Sequence, residues 1–558
     1  MSNGFFYCII LQGSEVKMLK KLIPAYILSF VIAFTIFVNE PVVLYASSKN
    51  DLWFDFMTMI KPVTILFILS FLVLSIFYTI VKVLSKKDKV YNIILVISFI
   101  IYFASYIQGN YMLKDLPGLD GTTIVWTGFL AQNLITLFIW VILIVTYILT
   151  IKKYKFESVI KASSKIALVV FIMLLVSCAS TIFTTKKMFM KKYPILVTDM
   201  NYTNFSSDKN FIIFLADAVD SREFYKELER SKYKDSFKDF TYYPDTTSYY
   251  LFTRDSIPQI LSGIPNHNES EYYTYYNEAL DNSPLLNTLL ENKYDLNIYD
   301  HELIWTSEKG RNVKNSTEVS NEVKLYYFAK NNIKYVAYKY LPYCFKKYAK
   351  IENMNFNYSR NIDYTNSFSW DDIDNYNLIL NSNPTVEQNK QFKFIHVNGS
   401  HPPYNIDEEL NRVKEDKNGY NKEVAASIKL MSSYIELLKK NNTYDNSVII
   451  LIADHGYTGS KNTLNKVNPI LLIKGFNETN KKMIISDKKV SFMDLQDTYK
   501  ELIDGKKNPD LFKNIPQNRV RKFIWYRFTK ENHMVEYKLD GHAWEGEKAV
   551  KTGRKFNR

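Results

Sequence analysis

Two short stretches of this 558-residue chain each carry a carboxylate to the end of an apolar run: "NFIIFLADA" stops at Asp217, and "SVIILIADHG" stops at Asp454, followed at once by His455. Carboxylate oxygens with one imidazole suit a divalent cation such as Mn²⁺, Mg²⁺ or Zn²⁺. Taken singly, either aspartate is equally a helix N-cap or a turn residue. Two acids and a histidine arriving together at two strand ends are what point to a metal site. A third stretch, "YYPDTTSYYLFTRDSIPQILSG" (residues 242–263), is rich in hydroxyls. Composition does not choose among Thr246, Thr247, Ser248, Thr253 and Ser256, and a hydroxyl before "IPQIL" is a natural helix cap. A hydroxyl at a helix start is also well placed as a nucleophile, because backbone N–H groups there face an incoming anion and a bound metal lowers its pKa. In a fourth stretch, "HVNGSHPPY" (residues 396–404), glycine, serine and paired prolines after a strand make a rigid loop. Such a loop holds His401 over a cleft, to bind a phosphoryl oxygen or protonate a leaving group. His396 lies inside the apolar strand, where a buried structural histidine is the competing explanation.

These groups need a scaffold that gathers strand ends. Continuous rather than alternating apolar runs indicate a sheet covered on both faces. They recur at residues 210–217, 294–300, 375–380 ("NYNLIL"), 392–397, 447–454 and 469–475, with helical patterns such as "SPLLNTLLENK" and "EVAASIKLMSSYIELLKKN" between them. The pattern predicts an α/β domain with a mostly parallel sheet over residues 208–525, preceded by a connector (188–207) and followed by a tail (526–558). In such sheets ligands collect beyond the carboxyl ends of the strands, where Asp217, His396 and Asp454 fall.

Residues 1–187 are a different kind of polymer. Five apolar stretches, at about 22–46, 62–81, 90–107, 124–150 and 166–184, each offer the roughly 20 residues that carry a helix across ~30 Å of hydrocarbon. Lysines alternate between the connections: Lys17, Lys20 and Lys21 precede the first stretch, Lys82, Lys86, Lys87 and Lys89 follow the second, and Lys152, Lys153, Lys155, Lys161 and Lys165 follow the fourth. The other two loops, with Lys49, Asp51 and Asp55 or Lys114, Asp115 and Asp120, are much less basic. The positive-inside rule puts the N-terminus in the cytoplasm and the large domain outside, with Lys186 and Lys187 opposing weakly. The opening "MSNGFFYCIILQGSEVK" lacks the basic start and apolar length of a signal peptide, and a start at Met18 would give a cleaner anchor.

The net charge of +13 comes from lysines flanking the spans and scattered over a polar surface; no basic module interleaved with aromatics speaks for nucleic acid. Three cysteines, Cys8, Cys178 and Cys344, imply no disulfide framework.

With these motifs in this order, the chain resembles the membrane-anchored phosphotransferases of the alkaline phosphatase and sulfatase superfamily, namely lipoteichoic acid synthases and lipid A phosphoethanolamine transferases. "NFIIFLADA" looks like the opening strand that supplies an acidic metal ligand, with Asp217 where the transferases usually carry glutamate. "FTRDSIP" is similar to the nucleophile segment and puts the nucleophilic threonine on Thr253. "HVNGSHPPY" resembles the H-x-x-G-S-H-x-P stretch, and "IADHG" the paired aspartate and histidine ligands. The resemblance implies an alkaline phosphatase/sulfatase-like fold, in a bacterial cell membrane, with one Mn²⁺ or Mg²⁺ (alternatively Zn²⁺) on Asp217, Thr253, Asp454 and His455. It implies Thr253 and His401 as catalytic groups and Arg254, Ser256 and His396 near the substrate. A phospholipid at the bilayer would donate a glycerol phosphate or phosphoethanolamine head group through a covalent threonine intermediate to an envelope glycan or polymer. The C/S-x-P-x-R pattern of hydrolytic sulfatases is missing around Thr253, which speaks against sulfate ester hydrolysis; no further histidine follows "DHG" for a second zinc and the transferases' usual disulfides are absent, and these two facts tilt the reading toward a single metal and the lipoteichoic acid synthase side. The alternatives are a membrane-bound phosphodiesterase, phosphatase or sulfatase-like hydrolase, and a non-catalytic membrane sensor or assembly protein.

Overall fold

The computed structural model describes residues 2–49, 52–85, 88–112, 126–266, 272–301, 303, 305–320, 322–357, 367–457, 463–508, 511–526 and 533–557. Asp51, Lys86, Lys87, Lys114, Asp115 and Asp120, used above for topology, lie outside the described residues. Packing divides the chain into two units: Met1–Lys192 with Ser320–Ile362, and Tyr193–Val319 with Asp363–Arg558.

The first unit holds five helices long and apolar enough to cross a membrane: α1 (Met18–Ser48), α2 (Phe56–Leu84), α3 (Asp88–Tyr111), α4 (Trp126–Lys153) and α5 (Phe156–Thr184). Their number and order match the sequence pattern, and the chain is a multi-pass membrane protein with a large extracytoplasmic domain. A helix satisfies its own backbone groups, which a lipid environment requires. Phe30 of α1 packs edge-on against Phe67 and Phe71 of α2 and Phe171 of α5. α1 passes through a π-helical turn, Thr35–Asn39, and then presents Glu40, which is fully buried. Lys339 Nζ lies 2.7 Å from one Glu40 oxygen, the Tyr340 hydroxyl donates to the other at 2.6 Å, and Asn332 Nδ2 donates to the Ile36 carbonyl at 2.8 Å. The helix Leu325–Tyr340 is thus clamped to α1, and the carboxylate is tolerated there because it is paired.

In the second unit the strands β1 (Asn210–Ala216), β2 (Thr241–Tyr242), β3 (Asp295–Tyr299), β4 (Gln391–Val397), β5 (Ser447–Ile452), β6 (Leu471–Lys474) and β7 (Ile484–Ile485) form one sheet in the order β7-β2-β6-β5-β1-β4-β3. The run β5-β1-β4-β3 is parallel throughout, whereas β6 is antiparallel to both β5 and β2. β1, β4 and β5 are buried at every residue, as continuous apolar runs demand. Helices α6 (Ser221–Arg230), α7 (Thr253–Ser262), α8 (Pro284–Glu291), α9 (Asp372–Asn381) and α10 (Tyr420–Lys440) are among the helices of the domain. Residues 521–525, 533–539 and 550–557 make a separate three-stranded antiparallel sheet.

One expected strand is a helix. "NYNLIL" lies within α9, whose Asp371 side chain accepts from the Ile373 and Asp374 amides and whose buried residues Asp372, Asn375 and Ile379 fall at helical spacing. A short apolar run fits either period, and here the acidic cap decides the outcome.

At the start of α10, Glu423 Oε1 accepts from the amides of Asn405 and Ile406 at 2.7 and 3.1 Å, tying down the loop that follows His401. Burial pushes the Glu423 carboxyl up to about 7. A raised folded-state pKa contributes stability that is complete below the ordinary value near 4.5 and is lost as pH rises through about 7. Glu423→Gln mimics the protonated form. Thermal melts should show the wild type losing stability relative to this variant over that window, with a constant difference above it.

Candidate active site

Since β5, β1, β4 and β3 run parallel side by side, their carboxyl ends meet at one edge, and each delivers a polar group there. The register pairs Leu215 with both Ile452 and His396, so Asp217 and Asp454 emerge as neighbours, one and two residues past the paired ladders. Both acids and His455 are essentially fully buried.

Each carboxylate has one oxygen engaged and one left over. Asp454 Oδ1 accepts from the amides of Ala218 (3.0 Å) and His455 (2.8 Å), while the Thr253 hydroxyl donates to Asp217 Oδ2 at 3.1 Å. Asp217 Oδ1 and Asp454 Oδ2 are buried with no hydrogen-bond partner. His455 Nδ1 is 2.9 Å from the Gly456 carbonyl oxygen; donating there as N–H, it leaves Nε2 as the lone-pair nitrogen. That Nε2 lies 3.9 Å from Asp217 Oδ1 and 3.4 Å from Asp454 Oδ2, the two orphaned oxygens. Asp217, Asp454 and His455 therefore offer three ligand atoms, all within 4.8 Å of one another. Burial raises the Asp454 carboxyl, and the Asp217 charge pushes it the same way. Burial would also raise Asp217, but the neighbouring imidazoles of His396 and His455 prevail and hold it below the usual carboxylate range.

Thr253 opens α7, so its hydroxyl sits at the positive end of that helix. Arg254 follows in the first turn. Ser256 donates to the Asp454 carbonyl oxygen at 2.8 Å, fastening the helix to the end of β5. His396 bridges two acids: Nδ1 is 3.0 Å from Asp300 Oδ1 and Nε2 is 3.7 Å from Asp217 Oδ2. Burial would lower His396, yet the nearby Asp217 carboxylate and the hydrogen bond to Asp300 hold it well above its usual range. Ser256 and His396 are both fully buried, with their polar atoms turned to these inward partners. His401 is only partly buried, and its ring lies 5.8 Å from that of Trp370.

A second cluster, Asp300, His301 and His396, could also hold a cation. The sequence marks His396 but gives no motif for Asp300 and His301, which stand upstream of it at the end of β3. The available signal was a repeated dipeptide: "YDH" at 299–301 ends β3 as "ADH" at 453–455 follows β5. The sequence implies a single metal, whereas the structure offers two candidate clusters for a divalent cation. Trp370, stacked on His301 at 4.4 Å, was also missed, and so was Lys466. Lys466 is buried with its ammonium 4.7 Å from the Phe252 ring centroid; burial lowers its pKa, and the charges of Asp454 and Asp217 partly offset this.

The loop of His401 is fixed by contact with β1. The Ser400 amide donates to the Asp217 carbonyl at 2.8 Å, and the Gly399 amide donates to Asp372 Oδ1 at 3.0 Å. Gly399 has φ +61°, and a Cβ there would lie 2.5 Å from the Asp217 carbonyl oxygen and 2.6 Å from its amide nitrogen. Gly399→Ala should cost about 1–3 kcal/mol in denaturant melts from the left-handed backbone alone. Because the clash displaces Asp217, divalent-ion binding should weaken as well.

A family model described as "Sulfatase" matches residues 209–530. No curated protein matches the chain. Among solved structures, the chain is similar to Ps i-CgsB in complex with k-i-k-neocarrahexaose (16% identity, 60% of this chain and 82% of that one, TM-score 0.40). It is similar to the lipoteichoic acid synthase LtaP from Listeria monocytogenes (14%, 64% and 88%, 0.34). The phosphoethanolamine transferase EptA from Neisseria meningitidis, an integral membrane protein, aligns over 86% of this chain and 95% of its own at 12% identity and TM-score 0.32.

Proposed function

Since the chain belongs to the sulfatase family, we propose that it is a membrane-anchored phosphotransferase that moves a phospholipid head group onto an envelope glycan or polymer through Thr253. The observation that carries this reading is the Thr253 hydroxyl, 3.1 Å from Asp217 Oδ2 at a helix start, beside the Asp217–Asp454–His455 cluster. The two orphaned carboxylate oxygens and the free imidazole nitrogen fit a divalent cation, with Thr253 as a fourth ligand. Oxygen donors dominate, which favours Mn²⁺ or Mg²⁺ over Zn²⁺. Bound there, the cation supplies Lewis acidity that lowers the hydroxyl pKa and polarises the phosphoryl group.

The chain's own residues do the rest. Thr253 Oγ1 gives its proton to Asp217 Oδ2 and forms the bond to phosphorus; the bond from phosphorus to the diacylglycerol oxygen breaks, and His401 protonates that oxygen. The acceptor hydroxyl then attacks the phosphothreonine, passing its proton to His401, while Thr253 leaves and recovers its own. Arg254 adds positive charge at the helix start. Ser256 and His396 act as positioning residues, through Asp454 in one case and Asp217 and Asp300 in the other. Five membrane-spanning helices support a lipid donor, since they hold the domain at the bilayer. A glycerol phosphate donor is preferred because the chain has few cysteines and no histidine soon after "DHG". The rival reading is a phosphodiesterase or phosphatase on the same scaffold, in which water takes the acceptor's place.

The test is incubation with labelled phosphatidylglycerol and phosphatidylethanolamine, followed by mass spectrometry of peptides and products. A head-group mass on Thr253, passed on to a glycan, is expected. Release of free head group only would establish the hydrolase. An adduct on Thr246, Thr247 or Ser256 would remove Thr253 from its role.

A further inference from the structure

A cavity of about 690 Å³ opens between α1, α3 and α5, at the helix ends that the lysine pattern assigns to the cytoplasm. Its composition is zoned along the helices. Lys20, Lys21, Lys161, Lys165, Asp88 and Glu157 line it toward the helix starts, while Ile27, Leu95 and Leu168 line it one to two turns further in. Asp88 is already engaged by both Lys21 and Lys82. Lys20, Lys161 and Lys165 are exposed and have no ion-pair partner among the described residues. The Tyr91 hydroxyl donates to the Lys21 carbonyl at 3.1 Å, joining α3 to α1 beneath this rim.

Four lysines against two carboxylates leave the lining with a net charge of +2. Lysines crowded between three helices repel one another unless an anion sits among them. The apolar walls below the rim offer nothing to a free phosphate but match the first carbons of an acyl chain. The volume lies in the about 300–1,000 Å³ range of ligand sites, and basic pockets between helices on the cytoplasmic side attract the anionic lipids enriched there.

We infer that this crevice binds one anionic phospholipid of the cytoplasmic leaflet, with its phosphate among Lys20, Lys161 and Lys165 and its chains along Ile27, Leu95 and Leu168. The lipid would bridge α1 and α5 electrostatically. This site does not depend on head-group transfer, and all its lining residues belong to the first unit.

The full chain is reconstituted in nanodiscs of phosphatidylcholine doped with a trace of diazirine-tailed phosphatidylglycerol or diazirine-tailed phosphatidylcholine, and photolabelled peptides are mapped. Phosphatidylglycerol should label the segments around residues 20–27, 88–95 and 157–168, in excess over the phosphatidylcholine probe. In Lys161→Gln/Lys165→Gln that excess should fall by about 20–30-fold, the loss of two lysine contacts. Lys161→Arg/Lys165→Arg, which keeps the charge, should restore it and excludes simple misfolding as the cause. Equal labelling by the two probes, labelling confined to the second unit, or an excess unchanged in the glutamine variant would each overturn the inference.

Discussion

Thr253→Ala is expected to reduce head-group transfer by about 10⁴-fold or more, the scale on which losing a nucleophile is felt. The large effect follows from a single atom. The hydroxyl donates to Asp217 at 3.1 Å and stands at the start of α7, so its removal takes away the attacking oxygen and one prospective metal ligand together. The helix itself should persist: Ser256 still bonds the Asp454 carbonyl, and the Tyr526 hydroxyl still bonds Asp255 in the first turn. Melting behaviour should therefore change little while turnover of labelled phospholipid disappears. Thr253→Ser keeps the oxygen and should retain measurable transfer. Undiminished turnover by the alanine variant would refute the covalent scheme.

Asp454→Asn should weaken divalent-ion binding by more than the roughly 10–100-fold that loss of an outer-shell partner costs, because a direct ligand charge is removed. The same substitution should have the opposite effect on the metal-free protein. Burial and the neighbouring Asp217 raise the Asp454 pKa, so whatever stability this group contributes is present below its unfolded value and is lost as pH rises through the folded one. Near neutral pH, with chelator present, the asparagine variant should melt above the wild type. With saturating Mn²⁺ the order should reverse. Calorimetric titration and paired melts read both effects, and a variant less stable than wild type under both conditions would argue against a cation-dependent site.

The strands carrying Asp217 and Asp454 were legible because burial on both faces writes itself as an unbroken apolar run, and a polar residue must end it. The spans were legible for a similar reason. α9 was not, since six apolar and amide residues carry no period of their own and the deciding cap lies in the acids before them. His396 was visible as a histidine in a strand, but its bridge from Asp217 to Asp300 was not. That bridge depends on β3 being the outer neighbour of β4, a long-range pairing with no local signature. Likewise the Glu40 clamp joins residues about 300 positions apart, and nothing near Glu40 announces Lys339 or Tyr340.

Ser320–Ile362 packs with the membrane unit, and this governs how the extracytoplasmic part could be released. The polypeptide passes between the units three times, after residues 192, 319 and 362. A protease that cuts once beyond α5 would shed nothing, because the two later passages keep the remainder moored. A chain begun at Tyr193 to obtain a soluble fragment would carry the helix Leu325–Tyr340 without α1. Phe328 and Tyr335, which share an apolar cluster with Val42 and Tyr45, would be stripped of that cover, a recipe for aggregation. Secretion of a soluble sulfatase-family domain would require excising this insertion as well as the anchor.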